Sequence, residues 1–167
     1  MIISPHYDCM HSSHVASRPT QGPTVGRPTY VPKVCAYLTR QGGTELLVFR
    51  GPGHEGLQIP KGTVEPDETP DDALRREVAE ESGLVVDGVQ RLTSDIWTRR
   101  PDPLKKYVRH FYHIDVNEPR DQWDHVVTGE GEERGQTFEY FWVELPTTEP
   151  FALSLDDYLP AVTAERP

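Results

Sequence analysis

Along most of this chain, apolar and polar positions alternate in short bursts rather than in long helical stripes. Val34 to Leu38 and Leu46 to Phe49 are compact apolar runs on either side of Gln41-Gly42-Gly43. Strand-length runs with glycines between them predict a β-hairpin. Gly51-Pro52-Gly53-His54-Glu55-Gly56 reads as a loop by composition, followed by a short extended piece, Leu57-Gln58-Ile59-Pro60. Further strands are predicted at Leu84 to Val89, Asp95 to Arg99, Tyr107 to Val116 and Gln136 to Leu145. One stretch breaks this rhythm. After Thr69-Pro70-Asp71-Asp72, Leu74 and Val78 recur at helical spacing. Thr69 suits the N-cap, Pro70 the first turn, and the two aspartates the positive end of the helix dipole. The helix is predicted to run to about Ser82, with Gly83 as its stop. Near the C-terminus, Ser154 followed by Asp157 is a capping pattern for a short helix limited by Pro160.

The first 28 residues lack any apolar period and carry four prolines, and they read as a mobile N-terminal tail ahead of one domain at 29–167. His6, Cys9, His11 and His14 are read as incidental to that tail rather than as a metal cluster. The tail has neither the basic start nor the apolar core of a secretory signal. The pattern as a whole predicts one mixed α+β domain.

The 167 residues contain 17 Lys and Arg against 27 Asp and Glu, a net charge of −10. Such a surface argues against a general grip on a phosphate backbone, so no nucleic-acid polymer is expected as a partner. No apolar run can span a bilayer. Two cysteines cannot build a disulfide framework, which makes a reducing, cytoplasmic setting the expectation. A homodimer is compatible with the sequence.

The predicted helix carries Glu77, Glu80 and Glu81. Steps of three and four residues place the three carboxylates on one face beside the Leu74 and Val78 strip. Like charges at that spacing repel by a few tenths of a kcal/mol, roughly, per pair, so something positive belongs there. Clustered carboxylates suit a hard cation such as Mg²⁺ or Mn²⁺.

The same residues sit in a longer pattern. Gly62, Glu68, Arg76, Glu77, Val78, Glu80, Glu81, Gly83 and Leu84 meet every fixed position of G-x5-E-x7-R-E-U-x-E-E-x-G-U, where U is aliphatic. Matching its seven fixed identities by chance has a probability of roughly 10⁻⁸ per window. The stretch resembles the Nudix box. The resemblance implies a Nudix fold, an α/β/α sandwich with a mixed β-sheet flanked by helices. It also implies hydrolysis of a phosphoanhydride bond in a nucleoside diphosphate derivative (a nucleotide, dinucleoside polyphosphate or nucleotide sugar) using divalent metal. Carried over by position, Glu77, Glu80 and Glu81 match the family's metal-binding acids, one of them also a candidate to polarise water. The carbonyl of Lys61 matches a backbone ligand, Arg76 the arginine that orients the catalytic glutamate, and Glu68 the acid that supports the loop. Gly62 is expected to make a tight turn before the helix.

Outside the box, Glu130, Glu132 and Glu133 lie in a glycine-flanked loop before a strand, where they are candidates for a second base or further ligand. Trp123 and His125 are candidates for substrate contact, Trp123 by stacking on a base; packing under a loop is the alternative role for Trp123, and the better supported one. Arg99, Arg100, Lys105, Lys106 and Arg109 form the one dense basic patch; Arg99, Arg100 and Lys105 are taken as candidates to receive distal phosphates. His54 is a further candidate for substrate contact. His110 and His113 fall on opposite faces of one strand, which argues against a shared ligand site. Pro60-Lys61-Gly62 resembles a motif of Nudix enzymes acting on dinucleoside polyphosphates or inositol pyrophosphates. The tyrosine that such dinucleoside enzymes tend to carry beyond the box is absent between Leu84 and Leu104. Pro101, 17 positions past the box, is close to a feature of the ADP-ribose hydrolases. Nucleoside triphosphates remain open. Two other readings are a non-catalytic Nudix nucleotide-binding module and a superfamily isomerase, for which Cys35 would be the catalytic thiol.

Overall fold

The computed structural model describes residues 26–99, 101 and 104–164. The expected tail and its histidines therefore lie outside the described residues, apart from 26–28. A seven-stranded mixed sheet runs through the molecule. Its strands are β1 (Thr29–Arg40), β2 (Glu45–Arg50), β3 (Lys61–Thr63), β4 (Gln90–Thr98), β5 (Lys105–Asp115), β6 (Gln122–Val126) and β7 (Thr137–Glu144). The order is β4-β5-β1-β2-β7-β6, with β3 paired to β1 off that path. Only β1 and β5 run parallel; the other pairs are antiparallel.

Val34, Cys35, Ala36, Tyr37 and Leu38 are all buried, which explains why the centre of β1 reads as an unbroken apolar run: both of its faces are covered. On one face the sheet packs against Ala73, Leu74 and Val78 of α1 (Pro70–Ser82). On the other, Tyr37, Leu46, Val48, Ile59 and Phe111 meet Leu155, Leu159 and Val162 of a C-terminal segment. That segment holds a 3-10 turn (Ala152–Ser154) and the short helix α2 (Leu159–Ala164), with Pro160 in its opening turn. Helices thus cover both faces of a mixed sheet, the expected α/β/α layering. Among the described residues, no helix is long and apolar enough to cross a membrane.

Two sequence expectations need correction. Residues 84–89 are not a strand: Leu84 and Val86 are buried and Val85 is exposed, the alternation of a strand, but the segment has no ladder partner. Asp95 to Arg99 is not a separate strand but the second half of β4. The hairpin prediction matches β1 and β2, with Gln41, Gly42 and Gly43 all at positive φ (56°, 67° and 80°).

Candidate active site

α1 is held at both ends by the groups its sequence promises. The Thr69 hydroxyl accepts a hydrogen bond from Asp72 N–H (3.2 Å), and Gly83 adopts the left-handed conformation (φ 76°) that ends the helix. The last turn leaves carbonyls without helical partners, and β6 supplies the donors. Alternate residues Trp123 and His125 face α1: Trp123 Nε1 donates to Ser82 O (3.0 Å), and His125 Nε2 lies 3.1 Å from Glu80 O. Thr128 N–H donates to the same Glu80 carbonyl (3.0 Å). These bonds fasten the loop between β6 and β7 against the helix.

The result is a cleft of about 510 Å³ with two unlike walls. One wall carries Glu77, Glu80 and Glu81 from α1, Glu65 before it, and Glu130, Glu132 and Glu133 from the fastened loop. The other comes from β1, β3 and β5, with Lys33, Lys61, Lys105, Val31 and Tyr107. The three box acids therefore line one cleft, in different settings. Glu81 continues the Leu74 and Val78 stripe at i+7 and is only 2% exposed. Its carboxylate accepts a hydrogen bond from Lys61 N–H (3.0 Å). Burial holds its pKa well above the ordinary carboxylate range, opposed by the nearby Lys61 charge and reinforced by Glu133. Burial likewise raises Glu77, against the pull of Arg76.

Arg76 organises this wall. It grips Glu68 with two hydrogen bonds (Nε–Oε1 2.8 Å, Nη2–Oε2 2.9 Å) and donates to Thr63 O (2.9 Å). It also reaches Glu77 (2.9 Å) and Glu80 (3.2 Å). A planar guanidinium with five donors can serve this many acceptors at once; an ammonium cannot. Gly62 does not make the expected tight turn. It lies within β3, and a Cβ there would overlap the Glu77 carboxylate. Gly129, at φ 87°, leaves room for Glu80 in the same way.

Of the three loop glutamates, Glu133 reaches the centre, 3.7 Å from Lys61 Nζ, where its charge helps to raise the Glu81 pKa. Glu130 is exposed and pairs with Arg134 at 3.7 Å. The cleft's donors are hard oxygens, the chemistry that Mg²⁺ and Mn²⁺ prefer. Among the described residues no three acidic, histidine or cysteine side chains stand close enough to enclose an ion as they are, and Arg76 hydrogen-bonds to both Glu77 and Glu80.

Other expected contacts fall elsewhere. Trp123 stacks on Tyr140 (centroids 5.4 Å, 15°) and His125 packs against Gly83; neither is among the residues that line the cleft. The basic patch disperses. Lys105 lines the cleft, Arg99 does not, Arg100 lies outside the described residues, and Lys106 donates to Thr98 (2.9 Å). Arg109 is buried in a pair with Asp95 (2.9 and 2.5 Å). His54 is not in the cleft lining, and burial lowers its pKa. His110 and His113 make separate contacts, His110 to Ser94 (2.7 Å) and His113 to Thr39 (2.8 Å). Cys35 is buried, and burial pushes its thiol up to about 12, which removes the reactive thiolate that an isomerase would need. Lys33, Val31 and Tyr107 were not foreseen as cleft residues. The available signal was a lone lysine inside an apolar strand, but its place depends on a β1–β3 pairing between residues 30 apart.

Comparison with known proteins gives a consistent picture. A family model described as NUDIX domain matches residues 29–161. An RNA pyrophosphohydrolase of Psychrobacter sp. is 45% identical over 70 residues, 41% of this chain and 40% of that protein. An RNA pyrophosphohydrolase of Pseudomonas putida is 44% identical over 61 residues, 36% and 38% of the two chains. The matched stretch thus spans about two fifths of these curated relatives. Among solved structures, the MutT protein of Methanosarcina mazei Go1 superposes with a TM-score of 0.61 at 20% identity, covering 85% of this chain and 98% of that one. The Bacillus subtilis pyrophosphohydrolase BsRppH gives 0.54 at 20% identity, with 86% and 84% covered.

Proposed function

The chain belongs to the NUDIX family, and on that premise we propose that it hydrolyses a phosphoanhydride bond in a nucleoside diphosphate derivative, using Mg²⁺ or Mn²⁺. The observation that carries this reading is the buried Glu81 carboxyl in a cleft also lined by six other glutamates and three lysines. A buried acid on an apolar stripe is costly unless it has a task or a cation. Glu77, Glu80 and Glu81, with the Lys61 carbonyl, are the groups that would hold the metal. When bound, that ion supplies charge neutralisation of the phosphoryl oxygens and a lowered pKa for water.

The chain's own residues do the rest. Arg76 fixes the carboxylates of Glu68, Glu77 and Glu80 in one frame. Glu133, within reach of Glu81 and Lys61, is the best placed of the loop acids to take a proton from attacking water. The names of the relatives support a second substrate reading, in which the phosphoanhydride belongs to an RNA 5′ end rather than to a small molecule.

The test is phosphate release from a panel of nucleoside triphosphates, dinucleoside polyphosphates, nucleoside diphosphate sugars and a 5′-triphosphorylated oligoribonucleotide, with and without Mg²⁺. Glu81→Gln is expected to lower kcat at least about 100-fold on whichever substrate is cleaved, the scale of losing one charge-organising catalytic group. Its melting temperature should hold or rise, because a buried acid has been neutralised. Turnover near the unmodified rate in that variant would reject the assignment.

A further inference from the structure

Tyr140 on β7 carries a buried polar group that the proposed chemistry leaves unused. The residue is 0% exposed, and among the described residues its hydroxyl has no hydrogen-bond partner. Its ring alone accounts for the packing. It stacks on Trp123 at 5.4 Å and tilts against Phe49 at 5.1 Å, its neighbours across the β6 and β2 pairings. A phenylalanine would keep both contacts and avoid burying an unpaired O–H, which is destabilising. The core therefore does not explain the hydroxyl. The charges that act on it are those of Glu81 and Glu133. With burial as the larger cause, they hold its pKa well above the ordinary tyrosine range, so it stays protonated and can donate to a carboxylate. A second donor beside Glu133 is unused as well. Lys61 Nζ is buried, makes no hydrogen bond and stands 3.7 Å from the Glu133 carboxylate.

The two acids differ in freedom. Glu81 stands on α1, and its carboxylate already accepts the Lys61 N–H at 3.0 Å. Glu133 stands on the loop between β6 and β7, with its side chain 38% exposed, between Gly129 and Gly135 at φ 87° and 79°. Glycines at such angles permit turns that other residues resist. Glu133 is thus the acid that can change pose, and two buried donors mark where its carboxylate would be received. Resting on the proposed phosphoanhydride hydrolysis, in which Glu133 takes a proton from attacking water, we propose that Tyr140 is a positioning residue whose hydroxyl donates to the Glu133 carboxylate when substrate fills the cleft. One carboxylate oxygen then accepts the Tyr140 hydroxyl, and the other faces the cleft and receives the water proton. The tyrosine keeps its own proton throughout.

Two measurements test this. In the first, kcat and KM are read for Tyr140→Phe and Glu133→Gln, alone and combined, on the nucleotide that the unmodified chain hydrolyses with Mg²⁺. Tyr140→Phe is expected to lower kcat about 10- to 100-fold, the range for one hydrogen bond to a charged group, with KM within about twofold. In the Glu133→Gln background the same substitution should change kcat less than about twofold, since no base is left to place. Losses that multiply, an effect on KM alone, or an unimpaired Glu133→Gln overturn the assignment. Silence of the unmodified chain on every substrate would sink the hydrolysis reading instead, and the second measurement, which needs no turnover, still decides the contact. Melting temperatures are read for the unmodified chain and Tyr140→Phe, without ligand and with Mg²⁺ plus α,β-methylene-ADP, whose bridging carbon resists hydrolysis. Without ligand, Tyr140→Phe should melt about 2–4 °C higher, because an unpaired buried donor has gone. With ligand, its rise should be smaller than that of the unmodified chain, because only the tyrosine gains a partner. A lower melting temperature for the variant without ligand, or equal rises in the two chains, rejects the placement of Glu133 by Tyr140 whatever the rates.

Discussion

Arg76 divides one guanidinium among Glu68, Glu77, Glu80 and the Thr63 carbonyl, so a single side chain ties the loop before α1 to the acids upon it. Its grip on Glu68 is bidentate and only partly exposed, with 24% and 16% of the two side chains accessible. The guanidinium therefore holds the Glu68 carboxyl below the usual carboxylate range, hydrogen bonding being the larger cause. The sign of the pH dependence follows. An unfolded Glu68 takes its proton near the ordinary value of about 4.3, before the folded one does, so the pair's stabilisation is full above that pH. It is lost as pH falls through the depressed folded value. With screening at a partly exposed site, Glu68→Gln is expected to cost about 1–2 kcal/mol at pH 7. In urea titrations from pH 7 to pH 3, the gap between the variant and the unmodified chain should shrink below about pH 4. A gap that stays constant across that range would mean that the Glu68 charge contributes nothing.

Between elements, the clearest dependence is that of α1 on β6. The helix itself is legible from local chemistry, since Thr69, Pro70 and Gly83 mark its ends and Leu74 and Val78 its inner face. The box acids are legible for the same reason: their spacing lies within one helix. β6 is not. Its five residues alternate in exposure, but the reason becomes visible only when Trp123 and His125 meet the carbonyls of Ser82 and Glu80, about forty residues earlier in the chain. An aromatic in a polar stretch suits a base platform or packing under a loop; in the structure its N–H bonds to the last turn of the helix. The segment from Leu84 to Val89 misleads in the opposite way. Its alternation is genuine burial, yet the neighbouring backbone needed for a ladder is missing. Lys33 was overlooked because strand pairing, not spacing, brings it to the acids. If Trp123 serves α1 rather than substrate, Trp123→Phe keeps the stacking on Tyr140 and loses the N–H bond to Ser82. The expected outcome is a stability loss of about 1 kcal/mol, read as a lower melting temperature, with KM for any cleaved substrate within about twofold. A KM rise of tenfold with unchanged melting would restore the stacking role.

For the whole molecule, the two apolar layers carry the fold and the cleft opposes it. Among the described residues, fifteen buried hydrophobic residues pack on the α1 side of the sheet and eleven on the side of the C-terminal segment. Seven glutamates line one cleft against three lysines and Arg76, an excess of three acids in a chain whose net charge is −10. Folding thus gathers like charges that the unfolded chain keeps apart, and a divalent cation bound there relieves the repulsion in the folded state alone. Such a ligand stabilises by RT ln(1 + [L]/Kd), about 2.7 kcal/mol at 100 times Kd. Chelation is therefore expected to abolish hydrolysis while leaving the far-ultraviolet circular dichroism spectrum intact, because the layers do not depend on the ion. Adding Mg²⁺ back should raise the melting temperature by several degrees, in line with the usual relation between ΔΔG and Tm for a domain of this size. NaCl at equal ionic strength should give a much smaller rise, since screening reduces the repulsion without filling the site. Glu81→Gln should weaken the Mg²⁺ response. If Mg²⁺ and NaCl shift melting equally, the glutamates are a solvated acidic surface and hold no specific cation.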